Sequence, residues 1–196
     1  MPMRLAILAS HAGTTAQAVI DAMADGRIDG EVVVLLSNNP QAEVLDRAAR
    51  AGVPTQLLNG TTHPDPVALD QAVLDAVVAA GATHVLLAGY MKKLGTPTIA
   101  AYDGRVFNTH PALLPAFGGQ GMYGDRVHAA VLAAGVGVTG ATVHRVTDDY
   151  DAGAIVRQVQ VPVAPGDDVE SLGARVRAAE RDLLVEVLAE IALDTD

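Results

Sequence analysis

Short runs of apolar residues alternate along this chain with longer stretches in which apolar positions recur every three or four residues. Arg4 to Ala9 is such a run, followed by the turn-forming Ser10-His11-Ala12-Gly13-Thr14-Thr15 and then helical spacing from Ala16 to Met23. This predicts a strand, a loop and a helix. The unit repeats with a strand at Glu31 to Leu36, a turn at Ser37-Asn38-Asn39-Pro40 and a helix from about Gln41 to Ala51, closed by Gly52. A weaker strand at Val53 to Leu58, a long amphipathic helix at Pro66 to Ala80 and a buried strand at His84 to Leu87 running into Gly89 continue the alternation. A short helix near Thr96 to Tyr102 leads to a strand at Arg105 to Asn108, and Asp125 to Ala134 is another helix. The pattern then changes. Val138 to Val146 and Ala154 to Val163 read as strands joined through Thr147-Asp148-Asp149-Tyr150-Asp151, and Val169 to Ala192 closes the chain as a long helix.

The βαβα order predicts an open α/β sheet with helices on both faces, mostly parallel, with antiparallel pairing in its second half. No internal repeat or low-complexity tract interrupts it. In such sheets ligands bind at the carboxyl ends of the strands, and the polar clusters Ser10 to Thr15, Gly89 to Lys93, Asn108 to His110 and the aspartate-rich loop all fall at such ends. Their common edge is the expected site.

Composition narrows this picture. The 196 residues suit one domain, and the core must be built from Ala, Val and Leu, because half the residues are hydrophobic while only 3% are aromatic and none is Trp. No apolar run approaches the roughly 20 residues needed to span a bilayer, and the start lacks a signal-peptide layout, so a soluble cytoplasmic protein is expected. The absence of Cys removes disulfides, thiolate nucleophiles and Cys-based metal sites. Thirteen basic against twenty-three acidic residues, a formal charge of −10, oppose extended contact with nucleic acid. An anionic ligand must then be held by local donors, for which Lys92, Lys93, Arg175 and Arg177 are the candidate cations.

Asn108 and His110 stand two apart at a strand's end, in front of Pro111. Residues i and i+2 of an extended segment share a face, so a carboxamide and an imidazole converge there. Acyl transfer uses such a pair, a fixed donor for an oxyanion and a group exchanging a proton near neutral pH. The Ser10 to Thr15 loop lies where backbone N–H groups and the helix dipole favour a phosphate, the alternative being a Thr-capped helix start. It is not a GxGxxG fingerprint, and no Asp or Glu ends the second strand to hold a ribose, which disfavours a nicotinamide cofactor. In the loop Asp148-Asp149-Tyr150-Asp151, a carboxylate placed near a histidine would raise its pKa; a solvated acidic loop is the alternative. No histidine has zinc-ligand spacing, so no metal is expected, and His84 and His144, inside apolar runs, read as satisfied core residues. No GxSxG elbow exists. What remains is direct attack of a bound nucleophile on a bound acyl group, helped by an amide, an imidazole and a carboxylate.

Asn108-Thr109-His110-Pro111-Ala112-Leu113-Leu114-Pro115 resembles the NxHPSLLP signature of the folate-dependent formyltransferases. Val85 to Met91, Gly140 to His144, Asp151-Ala152-Gly153 and Ala174 to Glu180 resemble the phosphoribosylglycinamide formyltransferases of that family, in order and over nearly the whole chain. Ala116 to Gly124 is similar to one branch whose loop differs from a shorter form. The resemblance implies the formyltransferase fold, with a Rossmann-like N-terminal half, in a single domain over residues 1–196. Residues 1–103 would hold the substrate phosphate and residues 104–196 the folate and the catalytic groups. It implies transfer of the formyl group of the co-substrate 10-formyltetrahydrofolate to the amine of phosphoribosylglycinamide, a step of purine synthesis. By the same resemblance Asn108 would stabilise the oxyanion and contact the folate, His110 would act as acid–base group toward the folate N10 and the amine, and Asp151 would raise the histidine's pKa. Gly13, Thr14 and Thr15 would bind the phosphate with help from Arg177, and Glu180 would contact the substrate. Met91, Lys92, Lys93 and Leu94 would lie along the folate, with Ala88, Gly89 and the loop of residues 148–153 enclosing the pterin. Two features depart from the family. Its GxGSN loop reads His11-Ala12-Gly13-Thr14-Thr15 here, and Pro66 stands near where some members hold the folate tail with an Arg, a task left to Lys92 or Lys93.

Related activities fit less well. Methionyl-tRNA formyltransferase needs a further C-terminal domain and a basic surface, formyltetrahydrofolate deformylase carries an extra N-terminal domain, and a non-catalytic folate or sugar-phosphate binder has no need of a proton-transfer group beside an oxyanion donor. The expected partners are thus the two small substrates, with neither nucleic acid nor membrane, and the protein a monomer or homodimer.

Overall fold

A computed structural model describes residues 1–194. Its elements follow one another as β1 (Met3–Leu8), α1 (Thr14–Ala24), β2 (Gly30–Ser37), α2 (Glu43–Arg50), β3 (Thr55–Leu57), α3 (Pro66–Ala79), β4 (His84–Leu87), α4 (Thr96–Ala101), β5 (Val106–His110), α5 (Asp125–Ala133), β6 (Val138–Arg145), β7 (Ile155–Pro162) and α6 (Val169–Leu193). The strands form a seven-stranded sheet in the order β3-β2-β1-β4-β5-β6-β7. β1 pairs in parallel with β2 and β4, and β2 with β3, while β6 and β7 are antiparallel from Val138 opposite Pro162 to His144 opposite Ile155. The expected mixed α/β sheet is therefore present.

Two compact units divide the described residues, 1–107 with 188–194, and 108–187. In the first, Leu5, Ile7, Leu8, Leu35, Leu36 and Leu86 are fully or almost fully buried. Their continuous apolar runs are those of parallel strands covered on both faces. Local signals set the helices. Asp65 caps α3 by accepting from Val67 N (3.4 Å) and Ala68 N (3.2 Å), and Pro66, the first helical residue, lacks the N–H that would go unsatisfied there. α2 carries Glu43 and Asp46 in its first turn and Arg47 and Arg50 in its last, matching the helix dipole. In the second unit Val127, Val131, Leu172, Val176 and Leu184 are among the fully buried apolar residues.

Three boundaries differ from expectation in an informative way. β3 is only three residues long, because polar Thr55 and Gln56 are exposed and offer it little burial. β5 runs on through His110 rather than stopping at Asn108, and ends where Pro111 can no longer donate to a ladder. α1 begins two residues early, at Thr14, after Gly13 in the left-handed region (φ 72°) with no side chain capping it, so the Thr-capped alternative does not hold.

Candidate active site

β5 carries the chemistry of the second unit. Asn108 and Thr109 are half-buried and His110 is buried, and the alternation of an extended chain sends Asn108 and His110 one way and Thr109 the other. The contacts follow that division. Asn108 Nδ2 lies 3.2 Å from His144 Nε2. His110 Nε2 lies 2.8 Å from the carbonyl oxygen of Phe117, and its Nδ1 is 3.5 Å from Asp151 Oδ2. Thr109, on the opposite face, donates its hydroxyl hydrogen to Glu180 Oε1 on α6.

Both ring nitrogens of His110 thus lie beside oxygen acceptors of the protein. Its two neighbours occupy unusual backbone. Among the described residues Phe117 and Asp151 are the non-glycine residues with positive φ, at 56° and 53°. Such conformations cost of order 1–3 kcal/mol and collect at functional sites. Asp151 is tied down further, since its Oδ2 accepts from Gly119 N (2.9 Å) and its Oδ1 lies 3.5 Å from His144 Nε2.

The segment after His110 is clamped from β6 and β7. Thr142 donates to Ala112 O (2.6 Å) and accepts from Leu114 N (3.1 Å). Gln158 Nε2 donates to both Leu114 O and Thr142 Oγ1, each at 2.9 Å. Pro111 to Pro115 is therefore fixed by side chains where no ladder runs.

His144 is the residue that sequence reasoning placed in the core without a task. It is buried, as expected of a core residue, yet it touches both Asn108 and Asp151. Burial lowers its pKa, against the opposing pull of the Arg145 carbonyl hydrogen bond and of Asp151. A neutral ring follows, with Nδ1–H donating to Arg145 O (3.0 Å) and Nε2 accepting from the Asn108 amide. The available signal was the pair Thr142 and His144, two polar residues two apart on either side of Val143. His84, the other histidine read as satisfied core, lies 2.9 Å from Thr83 Oγ1 through Nδ1.

Glu180 is pushed above the usual carboxylate range by burial, partly offset by the Thr109 hydroxyl. Arg175 and Arg177 differ in their commitments. Arg175 holds Asp167 at the start of α6 through a 2.5 Å ion pair and also donates to Pro162 O (3.0 Å), which keeps the Asp167 carboxyl well below its ordinary range. Arg177 makes a 3.5 Å contact with Asp125 in which both side chains are exposed, the kind of pair that adds little.

In the first unit, Met91, Lys92, Lys93 and Leu94 line a cavity of about 700 Å³, together with Ser10 and Asn38 among others. Gly13, Thr14 and Thr15 are not part of that lining; they form the N-terminal turn of α1. A side chain at residue 13 would run into Val44 of α2, and positive φ independently favours glycine there. Among the described residues no group of three or more His, Cys, Asp or Glu could hold a metal, and no helix is long and apolar enough to cross a membrane.

Comparison with known proteins matches this arrangement to a family. The chain is 38% identical to the trifunctional purine biosynthetic protein adenosine-3 of Bos taurus, over 96% of its own length but only 18% of that protein. It is 40% identical to phosphoribosylglycinamide formyltransferase of Mycobacterium tuberculosis, covering 97% of this chain and 86% of the relative. The crystal structure of glycinamide ribonucleotide transformylase 1 from Symbiobacterium toebii superposes with a TM-score of 0.92 at 38% identity, over 98% of this chain and 89% of that one. The sequence pattern of the formyl transferase family runs through residues 3–188, taking in β5 with Asn108 and His110 as well as Asp151, and the chain belongs to that family.

Proposed function

We propose that this protein transfers the formyl group of 10-formyltetrahydrofolate to the amine of phosphoribosylglycinamide, giving the N-formyl product of purine biosynthesis. The observation that carries the reading is the His110 ring held between Asp151 and the Phe117 carbonyl, two residues along one strand face from the Asn108 amide.

The amine nitrogen attacks the formyl carbon, and the carbonyl oxygen becomes an oxyanion. Asn108, its amide oriented by His144, donates to that oxyanion. The oxyanion then re-forms the C=O bond as the C–N10 bond breaks with its electron pair going to N10, and His110 moves the proton from the attacking amine to N10. Asp151 balances the positive charge on the ring while it carries the extra proton. No covalent enzyme intermediate and no metal are required.

The N-terminal turn of α1, whose first N–H groups have no partner within the helix, takes the substrate phosphate at Gly13, Thr14 and Thr15, and Arg177 adds charge. Glu180 contacts the substrate from α6. The folate lies along Met91, Lys92, Lys93 and Leu94, with Asn108 at its reactive end. The names of relatives that match most of their own length support the same substrates.

Incubating the protein with both substrates, and with water as the only acceptor in a parallel reaction, tests the proposal. Formylated acceptor appearing only in the first reaction supports transfer. Formate release at equal rates in both reactions makes the protein a deformylase, and no loss of 10-formyltetrahydrofolate in either makes it a binder.

A further inference from the structure

We propose that Ser10 is a positioning residue for the segment of Met91 to Leu94, acting in one relay with Asn38. Ser10 lies two residues beyond the end of β1 and is 1% exposed. Each of its polar atoms is engaged. Its N–H donates to Gly89 O (3.2 Å), and its carbonyl accepts from Asn39 Nδ2 (3.0 Å). Its hydroxyl oxygen accepts from Met91 N (2.8 Å) while the hydroxyl hydrogen goes to Asn38 Oδ1 (2.5 Å).

The partners matter because of where they lie. Residues 89–95, between β4 and α4, have no regular structure, and Gly89 is left-handed with φ 70°. No ladder fixes the backbone there, so the bonds to Ser10 set its path. The relay continues through Asn38, whose carbonyl accepts from Asn59 Nδ2 (3.1 Å). Asn59 is itself held, its Oδ1 accepting from Thr61 N (2.9 Å) and Thr62 N (3.0 Å). Met91, Ser10, Asn38 and Asn59 thereby join the ends of β4, β1, β2 and β3. Ser10 and Asn38 also line the cavity whose wall includes Met91, Lys92 and Lys93.

The inference rests on the proposed placement of the folate along Met91 to Leu94. Losing the hydroxyl leaves Met91 N–H without this acceptor and Asn38 Oδ1 without this donor, while the reacting groups on β5 are untouched. The cost therefore falls on folate affinity rather than on chemistry.

The test is a double-mutant cycle of Ser10→Ala and Asn38→Ala, read in KM for 10-formyltetrahydrofolate, kcat and the exchange rate of the Met91 amide. Each single variant should raise that KM about three- to tenfold, as for loss of one neutral hydrogen bond, with kcat falling less than twofold and Met91 exchanging faster. The double variant should be no worse than the weaker-binding single one, because both remove the same relay. Asn38→Asp, which keeps the acceptor oxygen, should stay near wild-type KM and serves if the alanine variants fold poorly. An unchanged KM, additive effects, or a fall in kcat alone overturns the proposal. Tetrahydrofolate binding by the wild-type protein is measured alongside, so that absence of folate binding, which overturns the functional reading itself, is told apart from failure of the relay.

Discussion

The amide nitrogen of Asn108 lies 3.2 Å from Nε2 of His144, and the same ring nitrogen lies 3.5 Å from Asp151 Oδ1. One buried, neutral imidazole therefore orients the amide proposed as oxyanion donor and packs against the carboxylate that faces His110. It leaves the second N–H of the amide for a ligand.

His144→Ala removes the acceptor that fixes the amide. The expected result is a fall in kcat of about three- to tenfold, the scale of one hydrogen bond, with a smaller change in KM for either substrate. Steady-state kinetics on protein shown to be folded checks this; unchanged kcat would mean that Asn108 needs no such support.

Asp151 combines a charge with a left-handed backbone. Asparagine tolerates that conformation as aspartate does, and its side-chain oxygen can still accept from Gly119 N. Asp151→Asn thus isolates the charge. It should lower kcat by about tenfold or more, given the strength of a charge pair at this separation in a partly buried site, with melting temperature little altered. A matching loss of kcat and melting temperature would point to a structural loop instead.

Acid should destabilise the fold through its histidines. His84, His128 and His144 are all buried, and burial lowers the pKa of each below the ordinary 6.5. Below pH 6.5 the unfolded chain takes up protons that the folded rings refuse, so stability is lost as pH falls from 6.5 toward the lowered folded-state values. Glu180, raised by burial, acts in the opposite sense, because its folded form holds its proton to higher pH. The melting temperature should drop between pH 7 and pH 5, and His128→Gln should flatten that slope. An identical slope in the variant would remove His128 from the account.

Gly13→Ala meets two obstacles, a left-handed backbone and Val44. The first alone costs roughly 1–2 kcal/mol, and the collision can be relieved only by shifting the start of α1 or α2. KM for phosphoribosylglycinamide should rise well beyond any loss of melting temperature, which a KM comparison with an unphosphorylated acceptor resolves. Equal effects on both acceptors would place the phosphate elsewhere.

Much of this architecture is legible in the chain because its strands carry unbroken apolar runs and its helices carry plain punctuation, as at Asp65-Pro66 and Gly52. The juxtaposition of Asn108 and His110 follows from extended geometry alone. Less legible were features that depend on partners distant in sequence. β3 contributes too little burial to show its true length. Gly13 reads as a generic turn residue until Val44 is seen against it. His144 looks like core because it is core, and its contacts with Asn108 and Asp151 depend on β6 and the loop after it being brought beside β5. Ser10 likewise has no local signal, since its hydroxyl partners are 28 and 81 residues away.

The most direct test of the account is kcat for formyl transfer by folded Asn108→Ala with both substrates saturating. A fall of about 10²–10³-fold, as for the loss of one oxyanion donor, is predicted. Turnover within twofold of the wild-type protein would contradict the mechanism at its centre.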